Sequence, residues 1–210
     1  MTDGGDASGD AVVVEVSGAL AVVRLNRPAE RNALSSPTLA ALDSAIASLC
    51  ARADIASVII TGTGDAFAAG ADIRELSALD AGAAPEFARR GQRLMRRIAD
   101  APQLTIAAVN GYCMGGGLDL ALACDLRVAS PSAVFAHPGA RLGVITGWGG
   151  TQRLPRLVGR ARALEIFATA RRVSAREAFE IGLVNRVGNP VLEVARTLAL
   201  TRAGNGPEVL

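Results

Sequence analysis

Two loops of small residues carry the groups best placed to do chemistry. The first is Ala66-Phe67-Ala68-Ala69-Gly70-Ala71-Asp72-Ile73. The second is Asn110-Gly111-Tyr112-Cys113-Met114-Gly115-Gly116-Gly117-Leu118-Asp119. Each follows a short, wholly buried-looking strand pattern, Ser57–Thr61 and Leu104–Val109, and each leads into a helix. In α/β proteins ligands sit beyond the carboxyl ends of strands. Small side chains there let a ligand approach the main chain. The N–H groups at a helix start have no internal acceptor and point at whatever binds. Two of them aimed at one carbonyl oxygen would stabilise an enolate-like anion, and losing one such donor typically costs about 3–4 kcal/mol in the transition state. A glycine run alone often does no more than permit tight packing; two such loops in the same topological position point to a site.

One further group could move protons. His137 is the only histidine, and an imidazole titrates near neutrality. Against that, a lone histidine beside Pro138 is often a satisfied loop residue. Several chemistries are excluded. With one histidine and no C-x-x-C among Cys50, Cys113 and Cys124, no metal site is expected. All 22 basic residues are arginine, which rules out lysine Schiff bases and a Walker phosphate loop. The odd cysteine count fits a reduced, cytoplasmic compartment rather than a disulfide framework. A net charge of +2 and the helical spacing of Arg89, Arg90, Arg93, Arg96 and Arg97 argue for a solvated helix face and no nucleic-acid partner. No run reaches the ~18 apolar residues of a membrane span.

The elements that must position the loops alternate strand and helix, so the class is α/β with one principal core. Residues 1–10 are acidic and glycine-rich and read as a disordered tail, not a signal peptide. Val12–Val16 and Leu20–Leu25 flank Ser17-Gly18-Ala19 as a hairpin. Ser36 as N-cap with Pro37 at the first helical position opens a helix to Arg52, with Leu39, Leu42, Ile46 and Leu49 on one face. The stretch from Gly62 to Asp72 reads as loop and Pro85–Ala99 as helix. A helix over Leu118–Ala123 follows the glycine run. Asp125–Ala129 and Ala133–Ala136 read as brief strands. Helices follow at about Gln152–Leu157, Arg162–Ala170 and Ser174–Ile181. Asn185–Val187 is a last short extended piece before a helical end.

At these residues the sequence resembles the crotonase family, also called the enoyl-CoA hydratase/isomerase superfamily. The matching pieces run in family order along nearly the whole chain: LNRPAERNAL (Leu25–Leu34), SVIITGTGDAFAAGADI (Ser57–Ile73), TIAAVNGYCMGGGLDLALACDLRVAS (Thr105–Ser130), GWGGTQRLPRLVG (Gly147–Gly159) and SAREAFEIGLVNRV (Ser174–Val187). The resemblance implies a spiral of ββα turns over residues 11–188. Residues 189–210 would begin a helical C-terminal region that is shorter than in relatives. It also implies homotrimers, often paired into hexamers, and an acyl-coenzyme A substrate with no permanently bound cofactor. By position the oxyanion donors would be the N–H groups of Ala71 and Gly116. The stretch Ala69, Ala71, Asp72, Ile73 and Arg74 would line the CoA moiety, as would Arg31, Ala33 and Leu34. Arg74 stands where many relatives carry lysine.

The sequence departs from the family pattern where hydratases keep two glutamates. The first position is Asp119, a carboxylate that reaches about 1.5 Å less, enough to matter for attack geometry. The second is Gly139, a vacant position, so paired-carboxylate water addition is not expected. Asp119 is then the main proton carrier, with His137 the available substitute. Tyr112, Thr146 and Trp148 could face the acyl group, and Arg141 could pair with Asp119. Three readings stay open: an enoyl-CoA lyase or isomerase acting through an enolate; a non-catalytic acyl-CoA-binding or assembly protein; and a decarboxylase or thioesterase relying on the oxyanion hole alone.

Overall fold

A computed structural model describes residues 10–203. The expected tail falls almost wholly outside these residues, as does the terminal NGPEVL.

The apolar β-branched runs build one six-stranded sheet. Its strands are β1 (Val12–Ser17), β2 (Leu20–Leu25), β3 (Ser57–Gly62), β5 (Leu104–Val109), β7 (Leu126–Ala129) and β10 (Arg186–Val187), in that spatial order. The β1–β2 hairpin is antiparallel, Val12 opposite Leu25; the other neighbours are parallel. Register puts Val22, Ile59 and Ile106 in one row and Val23, Ile60 and Ala107 in the next. Successive side chains point to opposite faces, and both faces are covered. Helix α9 (Val191–Ala203) packs Val191, Ala195 and Ala199 against the first row. The second row belongs to the larger core, shared with α1 (Ser36–Cys50), α3 (Ala84–Ala99) and α4 (Gly116–Ala123). That double coverage is why these strands read as continuous apolar runs.

A second sheet holds the site. It joins β4 (Ala66–Ala68), β6 (Tyr112–Met114), β8 (Val134–Ala136) and β9 (Val173–Ser174), the first three parallel. The chain therefore repeats one turn three times. A strand in the large sheet leads to a short strand in the small one and then to a helix: β3, β4 and α2 (Ile73–Ala78); β5, β6 and α4; β7, β8 and α5 (Gly139–Leu142). Helices α6 (Gly150–Val158), α7 (Arg160–Thr169) and α8 (Ala175–Glu180) complete the described chain. The α/β class and the spiral of ββα turns are both present.

Several boundaries differ from the sequence reading. The N-cap of α1 is Ser35, whose Oγ accepts from Thr38 N–H at 3.4 Å, so Pro37 lies one residue deeper. The helix stops at Cys50 rather than Arg52. The stretch Gly62–Asp72 is not all loop, because β4 pairs with β6 inside it. The fourth helix begins at Gly116 rather than Leu118. The short helix α5 had no counterpart in the sequence reading. The last helices run slightly longer or shorter than expected: α6 over Gly150–Val158, α7 over Arg160–Thr169 and α8 over Ala175–Glu180. Of the arginines on α3, Arg89 and Arg93 bind Glu86, and Arg97 binds Asp43 on α1.

Candidate active site

The parallel pairing of β4, β6 and β8 brings three chain exits to one end of the small sheet. After β4 comes Ala69-Gly70-Ala71. After β6 comes Gly115 and the first turn of α4. After β8 come His137, Pro138 and Gly139. All three line a single cavity of about 270 Å³. Its remaining wall is mostly apolar, including Leu76, Phe87, Leu142, Ile145 and Trp148, with Thr146 the polar exception, and His137 is the one ionisable residue among the described residues lining it.

The first loop is tied down from two sides. Asn32, fully buried, donates from Nδ2 to the carbonyls of Thr63 at 3.0 Å and Ala66 at 2.7 Å. Asn110 donates to Gly64 C=O at 2.9 Å and accepts from Gly62 N–H at 3.1 Å. The segment before α1 lies alongside: Leu34 N–H donates to Gly70 C=O at 2.8 Å, and Ala69 N–H to Arg31 C=O at 2.9 Å. Arg31, Ala33 and Leu34 are thereby held beside Ala69 and Ala71. The Arg31 guanidinium sits 5.6 Å from the Tyr112 ring centre, and Tyr112 lies outside the cavity wall.

Asp72 caps α2, accepting from Arg74 N–H at 2.8 Å, and also pairs with the Arg74 side chain at 3.0 Å. Those bonds hold its carboxyl below the usual carboxylate range. Arg74 itself is largely exposed, and Ile73 is exposed beside the cavity. The sequence reading assigned no anchoring role to Asn32, or to Asn110 at the head of the second loop, because what each one binds is set by tertiary approach.

The two loops meet closely. A Cβ on Gly70 would lie 2.8 Å from Met114 O and 3.3 Å from Gly116 N. One on Gly116 would lie 2.6 Å from Trp148 Cε3 and 3.3 Å from Ala71 N. Only glycine permits this approach. The Ala71 and Gly116 main chains thus flank one end of the cavity. Gly116 is the first residue of α4, where an N–H has no intrahelical acceptor.

Asp119 lies one turn into α4 and is 0% exposed. It does not line the cavity. Its Oδ2 accepts from the Thr146 hydroxyl, and its Oδ1 faces His137 Nε2 at 3.3 Å. His137, 3% exposed, forms cavity wall and packs 4.9 Å from the Phe167 ring centre. Arg141, by contrast, is exposed on α5, away from this pair. At Gly139 a Cβ would collide with the carbonyl of Val144, whose N–H donates back to Gly139 C=O at 3.0 Å. The loop is folded down over the position, so no open socket awaits a longer side chain. Trp148 is buried against Phe87 at 5.5 Å between ring centres. On its other side lies a polar cavity of about 390 Å³ lined by Arg96, Arg153 and Arg156.

Burial pushes the Cys113 thiol well above its ordinary value, with the Asp119 charge adding to it, and pushes Cys124 up to about 12. Neither is a nucleophile at neutral pH. Among the described residues there is no cluster of three or more His, Cys, Asp or Glu fit for a metal, and no helix long and apolar enough to cross a membrane.

The chain is similar to known proteins over most of its length. The family profile described as enoyl-CoA hydratase/isomerase matches residues 15–203. A short-chain-enoyl-CoA hydratase of Clostridium acetobutylicum is 41% identical over 199 residues, covering 93% of this chain and 76% of that protein. A crotonyl-CoA hydratase of Syntrophomonas wolfei is 44% identical over 180 residues, covering 85% and 69%. In three dimensions an enoyl-CoA hydratase from Bacillus anthracis superposes with a TM-score of 0.91 at 38% identity, over 94% of this chain and 78% of that one.

Proposed function

Because the chain belongs to the enoyl-CoA hydratase/isomerase family, we propose that it binds an acyl-CoA thioester in the 270 Å³ cavity and acts on it through an enolate. The observation that carries this is the convergence of the Ala71 and Gly116 main chains at one end of an apolar cavity. A thioester oxygen there accepts from both N–H groups. As the α-carbon loses its proton, charge grows on that oxygen and the two bonds strengthen, which is the differential stabilisation that catalysis requires. The CoA moiety runs out over Ala69–Arg74 and the neighbouring Arg31, Ala33 and Leu34. There small residues expose main-chain groups, and Arg74, though paired with Asp72, is exposed enough to meet a phosphate as well. Coenzyme A enters as part of the substrate, and the proposed setting is the reducing cytoplasm.

The reaction is that of a lyase or isomerase rather than paired-carboxylate hydration. Gly139 supplies no side chain, and Asp119 stays behind the cavity wall. The absence of any carboxylate from that wall also favours a second reading, a non-catalytic acyl-CoA-binding member of the family. Calorimetric titration with crotonyl-CoA and a panel of other thioesters, followed by product analysis, separates the two. Binding with turnover on any thioester supports the enzyme. Tight binding with no turnover supports the binding protein. Absence of binding to every acyl-CoA contradicts both.

A further inference from the structure

Asp119 and His137 come from different turns of the spiral and meet through strand register. Met114 ends β6 directly opposite Ala136, the end of β8, and Gly115 N–H donates to Ala136 C=O at 2.9 Å. The residues that follow each strand therefore leave the sheet together. One turn of helix later Asp119 lies behind His137. The carboxylate is fully buried. An ionised carboxylate so placed is costly unless paired. Oδ2 has the Thr146 hydroxyl; Oδ1 has no hydrogen-bond partner among the described residues and lies 3.3 Å from His137 Nε2, itself buried and without a hydrogen-bond partner, so the two orphaned atoms face each other as a close contact rather than an aligned hydrogen bond. Gly150, the first residue of α6, keeps this space open. A Cβ there would collide with Asp119 Oδ1 and lie 3.0 Å from His137 Nε2.

We infer that His137 is the catalytic proton carrier and Asp119 its positioning residue, a histidine–aspartate pair standing where the family's two-carboxylate pattern is broken. This rests on the thioester reading above. The imidazole lines the cavity and the carboxylate does not, so only His137 reaches a bound acyl group. Nε2 turns to Asp119, and among the described residues no hydrogen bond reaches Nδ1, the nitrogen left for substrate. The Phe167 ring packs on the imidazole and the Thr146 hydroxyl reaches the Asp119 carboxylate; neither side chain carries a charge. Cys113, close enough to feel the Asp119 charge, stays a neutral thiol.

One base suffices for a 1,3-proton shift on a 3-enoyl-CoA. The imidazole takes a proton from C2. The C2–H electron pair moves into the thioester carbonyl, and the enolate oxygen is held by Ala71 and Gly116. The imidazolium then delivers the proton to C4 as the carbonyl re-forms and the double bond settles between C2 and C3. No water, oxidant or second base is consumed.

The test uses the full chain, a 3-enoyl-CoA and the conjugated-enoyl absorbance as readout, with acyl-CoA affinity measured in parallel by calorimetry. His137→Gln should bind the thioester as wild type does yet lose about 10²–10⁴-fold in kcat, the usual worth of a positioned acid–base group. Asp119→Asn should lower kcat with KM little changed, and Asp119→Glu should not restore it, because the buried site has no room for the extra methylene. The wild-type rate should fall on acidification, because a protonated imidazole cannot take the C2 proton. If His137→Gln turns over at the wild-type rate, or the wild-type rate does not fall on acidification, the inference is overturned. The wild-type profile decides the matter even if a variant fails to fold. Failure of wild type to bind any acyl-CoA would instead overturn the thioester reading.

Discussion

At the scale of single residues, the site is defined as much by what has no side chain as by what has one. Gly70 and Gly116 let the main chains of the two loops approach closely, and Gly150 keeps the space where Asp119 meets His137. Gly139 differs from these. Sequence comparison alone makes it a vacancy that a glutamate would fill. The structure shows the Val144 carbonyl lying across that vacancy. Gly139→Glu is therefore expected to cost about 1–3 kcal/mol through forced backbone shifts and to leave hydration of crotonyl-CoA no faster. Thermal unfolding and a hydratase assay on the same preparation check this. A stable variant with a large gain in hydration would show that the loop moves aside freely.

At the scale of elements, the strand–strand–helix turn explains both what could be read from the sequence and what could not. The large-sheet strands are buried on both faces, so Ser57–Thr61 and Leu104–Val109 announce themselves by composition, and the 3.6-residue pattern of Leu39, Leu42, Ile46 and Leu49 announces α1. The three-residue strands Ala66–Ala68 and Tyr112–Met114 carry no such signal, because main-chain pairing with distant neighbours forms them. The meeting of Asp119 and His137 was hidden for the same reason, since it follows from the Met114–Ala136 register.

Trp148 forms part of the cavity wall, packing between α3 and the start of α4 and touching Phe87 and the Cα side of Gly116. It also parts the apolar cavity from the arginine-lined one, because Gly147 and Trp148 border both. Trp148→Ala should cost about 3–5 kcal/mol in stability and raise the specificity constant for longer or terminally carboxylated 3-enoyl-CoAs relative to 3-butenoyl-CoA. The ratio of specificity constants is unaffected by any loss of folded protein. An unchanged ratio would deny Trp148 its role as partition.

At the scale of the molecule, the large core and the cavity share one set of walls, so the site should persist as long as the fold does. The cysteines can report on that. Cys113 and Cys124 are buried and their thiols are raised well above the ordinary value, the latter to about 12, mainly by desolvation. Cys50, half-buried, is raised less sharply, also by burial. A thiol reagent at neutral pH should modify Cys50 first, slowly, and reach the other two only as the chain unfolds, at a rate that tracks global stability. Rapid labelling of Cys113 in the native protein would reveal local opening at β6, beside the site.

The central claim is that the N–H groups of Ala71 and Gly116 polarise a thioester carbonyl. Being main-chain groups, they cannot be deleted by side-chain substitution, so the most direct measurement is vibrational. A carbonyl-labelled acyl-CoA bound to the wild-type protein should show its thioester C=O stretch shifted to lower frequency than in water, with the shift abolished when Gly116→Val blocks the approach. A stretch at the same frequency as in free solution, with binding confirmed in the same sample, would contradict the account.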